Sequence, residues 1–144
     1  MGELRIVASE GEAPPEAVTL RTRVFVGEQG VTERDEIDGR DPECVHFIAW
    51  RGTEPVACAR LRPLGEDRAK VERVAVQRAL RGRDLGRRVM QAVEAEAARR
   101  GWRRLTLHAQ LPVVAFYDRL GWETRGGEFE EAGIRHRAME KTLA

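Results

Sequence analysis

Asparagine is absent from this 144-residue chain, and lysine occurs only at Lys70 and Lys141, so nearly every cation is an arginine. That bias suits a GC-rich genome and says nothing about chemistry. Cysteine is scarce as well. Cys44 and Cys58 lack metal-ligand or redox spacing, which leaves them as free buried thiols. No apolar run is long enough to span a bilayer and no signal-peptide pattern is present, so the sequence predicts a soluble, cytoplasmic protein with no membrane partner. Charge imbalance is also missing. Charged residues make up 34% of the chain, yet the formal net charge is +1, which argues against nucleic acid as a partner and leaves only local basic patches. There is no internal repeat, linker or low-complexity segment. At this length a single domain over residues 1–144, with one sizeable core, is expected.

What is present alternates between strand and helix patterns. Leu4 to Ala8 reads as a short strand. Pro14-Pro15 starts a helix running to about Glu28, with Val18, Arg21, Phe25 and Gln29 along one side. The acidic stretch Glu33 to Pro42 reads as a solvated loop and does not fit a calcium-binding register. Cys44–Trp50 and Val56–Leu61 form a hairpin, with Val71–Val76 as a third antiparallel strand. That third strand slips in phase: Val71 faces one way, while Val74 and Val76 share a side with Glu72. One extra residue near Glu72-Arg73, a bulge, repairs the alternation.

Farther on, Leu85, Val89, Val93 and Ala97 make an i, i+4 stripe flanked by Met90, and Gly101 follows the basic end of this helix. Leu105–Gln110 alternates as a strand. Pro112 opens another helix carrying Val113, Phe116, Tyr117 and Leu120, closed by Gly121, and Ile134–Leu143 supplies a last strand. Trp102 and Trp122 each follow a helix-ending glycine, where core packing is the default role. The order predicts an α/β fold in the α+β sense: a mixed, mostly antiparallel sheet with helices on both faces. Its one parallel pair, Val71–Val76 and Leu105–Gln110, is joined by a right-handed crossover.

Between the crossover's first strand and its helix lies Arg81-Gly82-Arg83-Asp84-Leu85-Gly86-Arg87-Arg88. A glycine-bearing loop opening a helix aims free N–H groups and the positive end of the helix dipole at one point, and both favour phosphate. The guanidinium groups of Arg81, Arg83, Arg87 and Arg88 add to that. A solvated basic turn is the bland alternative.

These residues together resemble the GCN5-related N-acetyltransferases (GNAT), and within them the small bacterial ElaA/YjcF-type branch. The family signature Arg/Gln-x-x-Gly-x-Gly/Ala falls on Arg81 to Gly86. Ala109-Gln110, Phe116-Tyr117 and Gly121-Trp122 are similar to its second block, and Phe129 to His136 with Met139 to the branch's closing segment. At the front, Arg23-Val24-Phe25-Val26, Glu28-Gln29 and Glu36-Ile37-Asp38 match too. Asp84 departs from the pattern, since it stands where the family usually has its first motif glycine. It is expected to turn outward, with neighbouring arginines compensating.

The resemblance implies acetyl-CoA as co-substrate, no metal, and direct transfer of the acetyl group to a primary amine of a small molecule or peptide by a monomer or homodimer. It implies that the parallel strands splay, that Val74, Ala75 and Val76 contact the pantetheine arm through their backbone, and that Arg81, Gly82, Arg83, Asp84, Leu85, Gly86 and Arg87 hold the pyrophosphate. Gln110 and Phe116 complete the cofactor contacts. Tyr117 is expected to protonate the departing thiolate. Glu72 leads as general base, since burial near the bulge would raise its pKa, with a structural ion pair to Arg60, Arg62 or Arg73 as the competing reading. His46, His108 and His136 compete for the same role and, with Glu28, are the candidate acceptor contacts, although a lone strand histidine is more often structural. Cys58 as an acyl carrier finds no activating neighbour.

The same fold serves acyl-homoserine-lactone synthesis, whose front pattern is similar to Arg21 to Phe25 and Glu36 to Asp41. The chain is short for that family and lacks its aromatic pattern. A non-catalytic acyl-CoA sensor, or a nucleic-acid module using the arginine loop, completes the alternatives.

Overall fold

The computed structural model describes residues 3–144. Seven strands form one sheet in the order β1-β2-β3-β4-β5-β7-β6. They are β1 Leu4–Glu10, β2 Val45–Arg51, β3 Glu54–Gly65, β4 Arg68–Val76, β5 Arg104–Gln110, β6 Glu123–Glu131 and β7 Ile134–Thr142. Among the described residues only β4 and β5 pair in parallel. The helices are α1 Pro15–Arg21, α2 Glu33–Glu36, α3 Leu85–Arg99 and α4 Val114–Arg119.

The bulge expected in β4 is there. Cys58 pairs with Ala75 and Arg60 with Glu72, so three steps on β4 match two on β3. Arg73 takes up the surplus at φ +57°, a conformation few side chains adopt without support. The bulge reverses the strand's facing. Ala69 and Val71 lie in the main core, and after the bulge Val74 and Val76 pack on that core while Ala75 joins Leu20, Val24 and Cys58 on the other side. The α3 stripe Leu85, Val89, Met90, Val93 and Ala97 is buried against the first of these faces.

Besides α2, which opens the acidic stretch read as a loop, two elements differ from the sequence expectation. The first helix holds α-geometry only to Arg21, then widens into π-helical turns over Thr22–Glu28. Thr22 Oγ1 donates back to the Val18 carbonyl at 2.8 Å, and the Gln29 N–H reaches five residues back to Val24. Val24, in place of Phe25, becomes the buried residue. The second difference is β6, which has no strand signature in the sequence. It is an edge strand, mostly exposed, with Gly126-Gly127 left out of register against β7 and Gly126 at φ +70°. No helix among the described residues is long and apolar enough to cross a membrane.

Candidate active site

β4 and β5 hold together only from Arg68–Arg104 to Val71–Leu107. Beyond that they diverge, and Val74–Val76 and His108–Gln110 become walls of a cleft of about 910 Å³. The Gln77 N–H donates to Val56 on β3 at 2.8 Å. By strand alternation, Val74 and Val76 therefore turn their backbone groups into the cleft. Arg81 lines the cleft too, and its Nε donates to the Val76 carbonyl at 3.1 Å.

At the cleft mouth the loop runs into α3. Asp84 sits at φ +68°, the conformation a glycine holds most easily, and its side chain does not cap the helix. It turns to Arg87, whose Nε donates to Oδ1 at 2.7 Å and whose Nη2 also meets Oδ2. That hydrogen bond, against slight desolvation, holds the Asp84 carboxyl below its ordinary range. No acceptor among the described residues takes the N–H groups of Leu85, Gly86 and Arg87. Three amides and the positive end of a four-turn helix thus stay open to an anion. Gly86 is also needed for shape, since a Cβ there would lie 3.1 Å from Phe116 Cζ. The arginines are not equivalent. Arg81 pairs with Glu28 at 2.7 Å and Arg87 with Asp84, whereas Arg83 and Arg88 have no ion pair among the described residues. Arg83 does not line the cleft.

Tyr117, the chain's one tyrosine, reaches the cleft from α4. Its ring meets Phe116 and Trp122 edge-on, at 4.9 and 6.3 Å between centroids. Burial raises the phenol above its ordinary pKa, so it stays protonated at neutral pH. No described residue hydrogen-bonds its hydroxyl. Gln110 Nε2 donates to Gln29 Oε1 at 2.8 Å and ties β5 to the end of the widened helix.

Glu72 follows the ion-pair reading and departs from the raised pKa. Burial alone would raise its carboxyl, but the Arg62 hydrogen bond and the charges of Arg60 and Lys70 outweigh it and hold the pKa down at about 2. Its Oε1 lies 2.9 Å from both Arg60 Nη2 and Arg62 Nε. The expected raised pKa is therefore corrected, because alternation from the core residue Val71 puts Glu72, opposite Arg60 in the register, on the face that carries these arginines. The acidic loop is corrected in part. Asp38 and Asp41 bind Arg60 at 2.8 and 3.0 Å, and Glu36 binds Arg21 at 2.7 Å, so three of its carboxylates are clamped to arginines, while Glu33, Asp35, Ile37 and Arg40 are exposed. His46 belongs with this network: it is buried, its Nε2 donates to the Asp41 carbonyl at 2.9 Å, and it does not line the cleft. Glu28 does not line it either, being engaged by Arg81.

At the apex, where the strands part, stand Lys70, His108, Glu131 and His136, all facing the cleft. Glu131 Oε2 lies 2.9 Å from His108 Nδ1. Phe129 meets His108 edge-on and stacks on His136. Phe129 and Glu131 lie in the closing segment that resembles the branch, but their placement at the apex, and that of Lys70, had no signal of its own, because the first two reach it from an edge strand whose register is interrupted. The thiols of Cys44 and Cys58 are pushed up by burial to about 11 and 12.

A splayed parallel pair, a bulge and open helix-N-terminal amides at one cleft invite comparison with known proteins. A sequence model described as the acetyltransferase (GNAT) domain matches residues 13–143. The Bacillus subtilis N-acetyltransferase YjcF is 34% identical over 137 residues, 94% of this chain and 97% of that one. Escherichia coli ElaA superposes with a TM-score of 0.85 at 27% identity, over 96% of this chain and 99% of its own. A GNAT-family acetyltransferase from Elizabethkingia anophelis, solved with acetyl-CoA bound, shares the fold at a TM-score of 0.76 and 14% identity, over 97% and 98% of the two chains. The cleft between β4 and β5 is thus set in the fold of an acyltransferase family, and this chain belongs to the GNAT acetyltransferases, in their ElaA/YjcF-like branch.

Proposed function

We propose that the protein transfers the acetyl group of acetyl-CoA to a primary amine of a small molecule or peptide, by direct attack of the amine on the thioester. The observation that carries this reading is one cleft holding three things together: β4 backbone at Val74 and Val76 with no partner strand on its β5 side, the free amides of Leu85, Gly86 and Arg87, and the protonated hydroxyl of Tyr117. The fit is favourable in shape and charge. The cleft is large enough for an extended ligand, Gly86 leaves the close approach of Phe116 unobstructed, and the open amides match a pyrophosphate.

Acetyl-CoA, when bound, supplies an activated acyl group and a thiolate leaving group. The protein's residues do the rest. Val74 and Val76 align the pantetheine arm as an added strand would be aligned. A backbone N–H on this wall polarises the acyl carbonyl, and Tyr117 Oη gives its proton to the departing sulfur. A phenol whose pKa is raised is a weaker acid, but it is reliably protonated when the reaction begins. Glu72, held ionised by Arg60, Arg62 and Lys70, acts as an anchor of the wall. Cys58 donates its thiol to the Arg73 carbonyl at 3.6 Å and stays protonated, which supports a route without an acyl-enzyme.

Two measurements test the reading. Titration calorimetry with acetyl-CoA is expected to give saturable one-site binding. Thiol release from acetyl-CoA across a panel of amines, polyamines and peptides is expected to accelerate with at least one of them. Absence of binding to any CoA derivative overturns the assignment.

A further inference from the structure

At the apex of the wedge, two residues of opposite charge meet a single nitrogen. His108 Nδ1 lies 2.9 Å from Glu131 Oε2 and 3.3 Å from Lys70 Nζ. The contacts exclude one another in protonation. A carboxylate only accepts, so its bond requires a proton on Nδ1, and an ammonium only donates, so its bond requires the lone pair there. Glu131 makes the shorter contact, and Lys70 has a carboxylate of its own in Glu72 at 3.5 Å. In the neutral ring Nδ1–H therefore donates to Glu131, which leaves the lone pair on Nε2. No described residue takes up Nε2, while the His108 side chain is 29% exposed and lines the cleft. Phe129, edge-on at 4.9 Å, fixes the ring plane.

We propose that His108 is the general base of the transfer, with Glu131 as its positioning residue. The proposal rests on the acetyl-transfer reading above. In the step, the amine nitrogen's lone pair forms the N–C bond to the acyl carbon and the C–S bond breaks. The sulfur leaves with that electron pair and takes the Tyr117 proton, and the surplus proton on nitrogen passes to His108 Nε2. Exchange with solvent returns one proton to Tyr117 and removes one from His108. Glu131 stabilises the imidazolium as it forms, which is what a base oriented by a third group needs. The other histidines are placed less well. His46 is outside the cleft with Nε2 engaged. His136 donates Nδ1–H to the Ile134 carbonyl at 2.7 Å and has no carboxylate partner. The groups facing His108 are Lys70 from β4, Phe129 and Glu131 from β6, and, beyond Phe129, His136 from β7.

The test combines a spectroscopic and a kinetic arm on the full chain. Long-range proton–nitrogen-15 spectra resolve its three histidines, assigned with His108→Gln and His136→Gln. Wild type is expected to show His108 protonated at Nδ1 and bare at Nε2. Glu131→Ala is expected to reverse this, since Lys70 then donates to Nδ1, and Glu131→Asp to restore the original tautomer in part. In the kinetic arm, His108→Gln is expected to slow amine-dependent thiol release on the order of 100-fold with unchanged acetyl-CoA affinity. A wild-type His108 carrying its proton on Nε2, or a His108→Gln variant turning over at the wild-type rate, overturns the role of His108 alone. A wild-type protein that releases no thiol with any amine overturns the transferase reading, and this role with it.

Discussion

α3 lays Leu85, Val89, Met90, Val93 and Ala97 against one face of the sheet, where β2 to β5 answer with Val45, Phe47, Ala57, Leu61, Val71 and Leu107. The other face carries a small apolar patch, Leu20, Val24, Cys58 and Ala75, and beside it a paved area of charge. Arg21, Glu36 and Arg60 are each buried to 2% exposure or less there, with Asp38, Asp41, Glu72, Arg62 and Arg73 closing the lattice. Burial on the first face is non-directional and tolerates exchange among residues of similar volume. Ion pairs on the second face gain little net stability after desolvation, but they hold under directional constraint. That constraint presses the acidic segment onto β3 and β4 and fixes the bulge at Arg73, whose Nη2 donates to the Glu36 carbonyl at 2.9 Å. The apolar face holds the molecule together, and the ionic face shapes the wall of the cleft.

The sharpest way to break this contrast is to remove the shared cation. Arg60→Met keeps volume and removes the one cation that Asp38, Asp41 and Glu72 share, leaving them only Arg73, Arg21, and Arg62 with Lys70, respectively. Its expected cost is about 3–5 kcal/mol of folding stability, read from urea unfolding. Met90→Ala on the opposite face is expected to cost roughly 2–5 kcal/mol through the cavity it leaves, whereas Met90→Leu stays below about 1.5 kcal/mol. An Arg60→Lys variant as mild as Met90→Leu would erase the distinction drawn here, since lysine offers no planar fork to three carboxylates.

Acid should separate the faces without mutation. Glu72 titrates at about 2 in the fold and near the ordinary carboxylate range when unfolded, and Asp38 is also held well below that range, by Arg60 and the Arg40 N–H against its burial. A depressed folded pKa gives stability that is present above the unfolded value and lost as pH falls through the folded one. Wild type should therefore lose stability between about pH 4.5 and 2. The Met90→Ala penalty should be the same at pH 7 and pH 3, and the Arg60→Met penalty should shrink at pH 3. Equal shrinkage of both would show that the ionic lattice does not hold the second face.

How far each face could be read from sequence follows from the same physics. The α3 stripe and the alternation of β5 are periodic, so they are legible in one dimension. The phase slip at Glu72-Arg73 was legible too, because a bulge leaves a mark in that period. The ionic lattice leaves none: Arg60 meets Asp38 and Asp41 across 22 and 19 residues, and nothing local distinguishes those carboxylates from solvated ones. For the site, the placement of the Arg81–Arg87 loop and of Tyr117 at the cleft could be read from motif and helix position. Glu131 could not, because it reaches His108 from an exposed edge strand interrupted by Gly126-Gly127. For Glu72 the ion-pair reading names Arg60 and Arg62, and both are its partners, while Lys70 left no mark; the wrong pKa direction followed from weighing burial above those cations.

Tyr117 carries a hydroxyl on the apolar face, and removing only that hydroxyl tests whether it is there for chemistry or for packing. Tyr117→Phe keeps the edge-on contacts with Phe116 and Trp122. Turnover is expected to fall on the order of 100-fold, about 2.7 kcal/mol in the barrier, with acetyl-CoA affinity and unfolding midpoint unchanged. Wild-type turnover would make the ring a packing residue alone.

The smallest effect concerns the loop at the rim of both faces. Asp84 sets a carboxylate beside the open amides of α3 and neutralises Arg87, the arginine nearest in sequence to those amides. Asp84→Gly removes the repulsion, suits the backbone at φ +68° and frees the guanidinium at once, so all three changes act in one direction. CoA affinity by calorimetry is expected to rise on the order of tenfold. The gain should shrink in high salt, because Arg87 and the rim are exposed and screened. A variant that binds CoA no better than wild type would mean that Asp84 and Arg87 part on binding, and that Arg87 already reaches the phosphate in the wild-type complex.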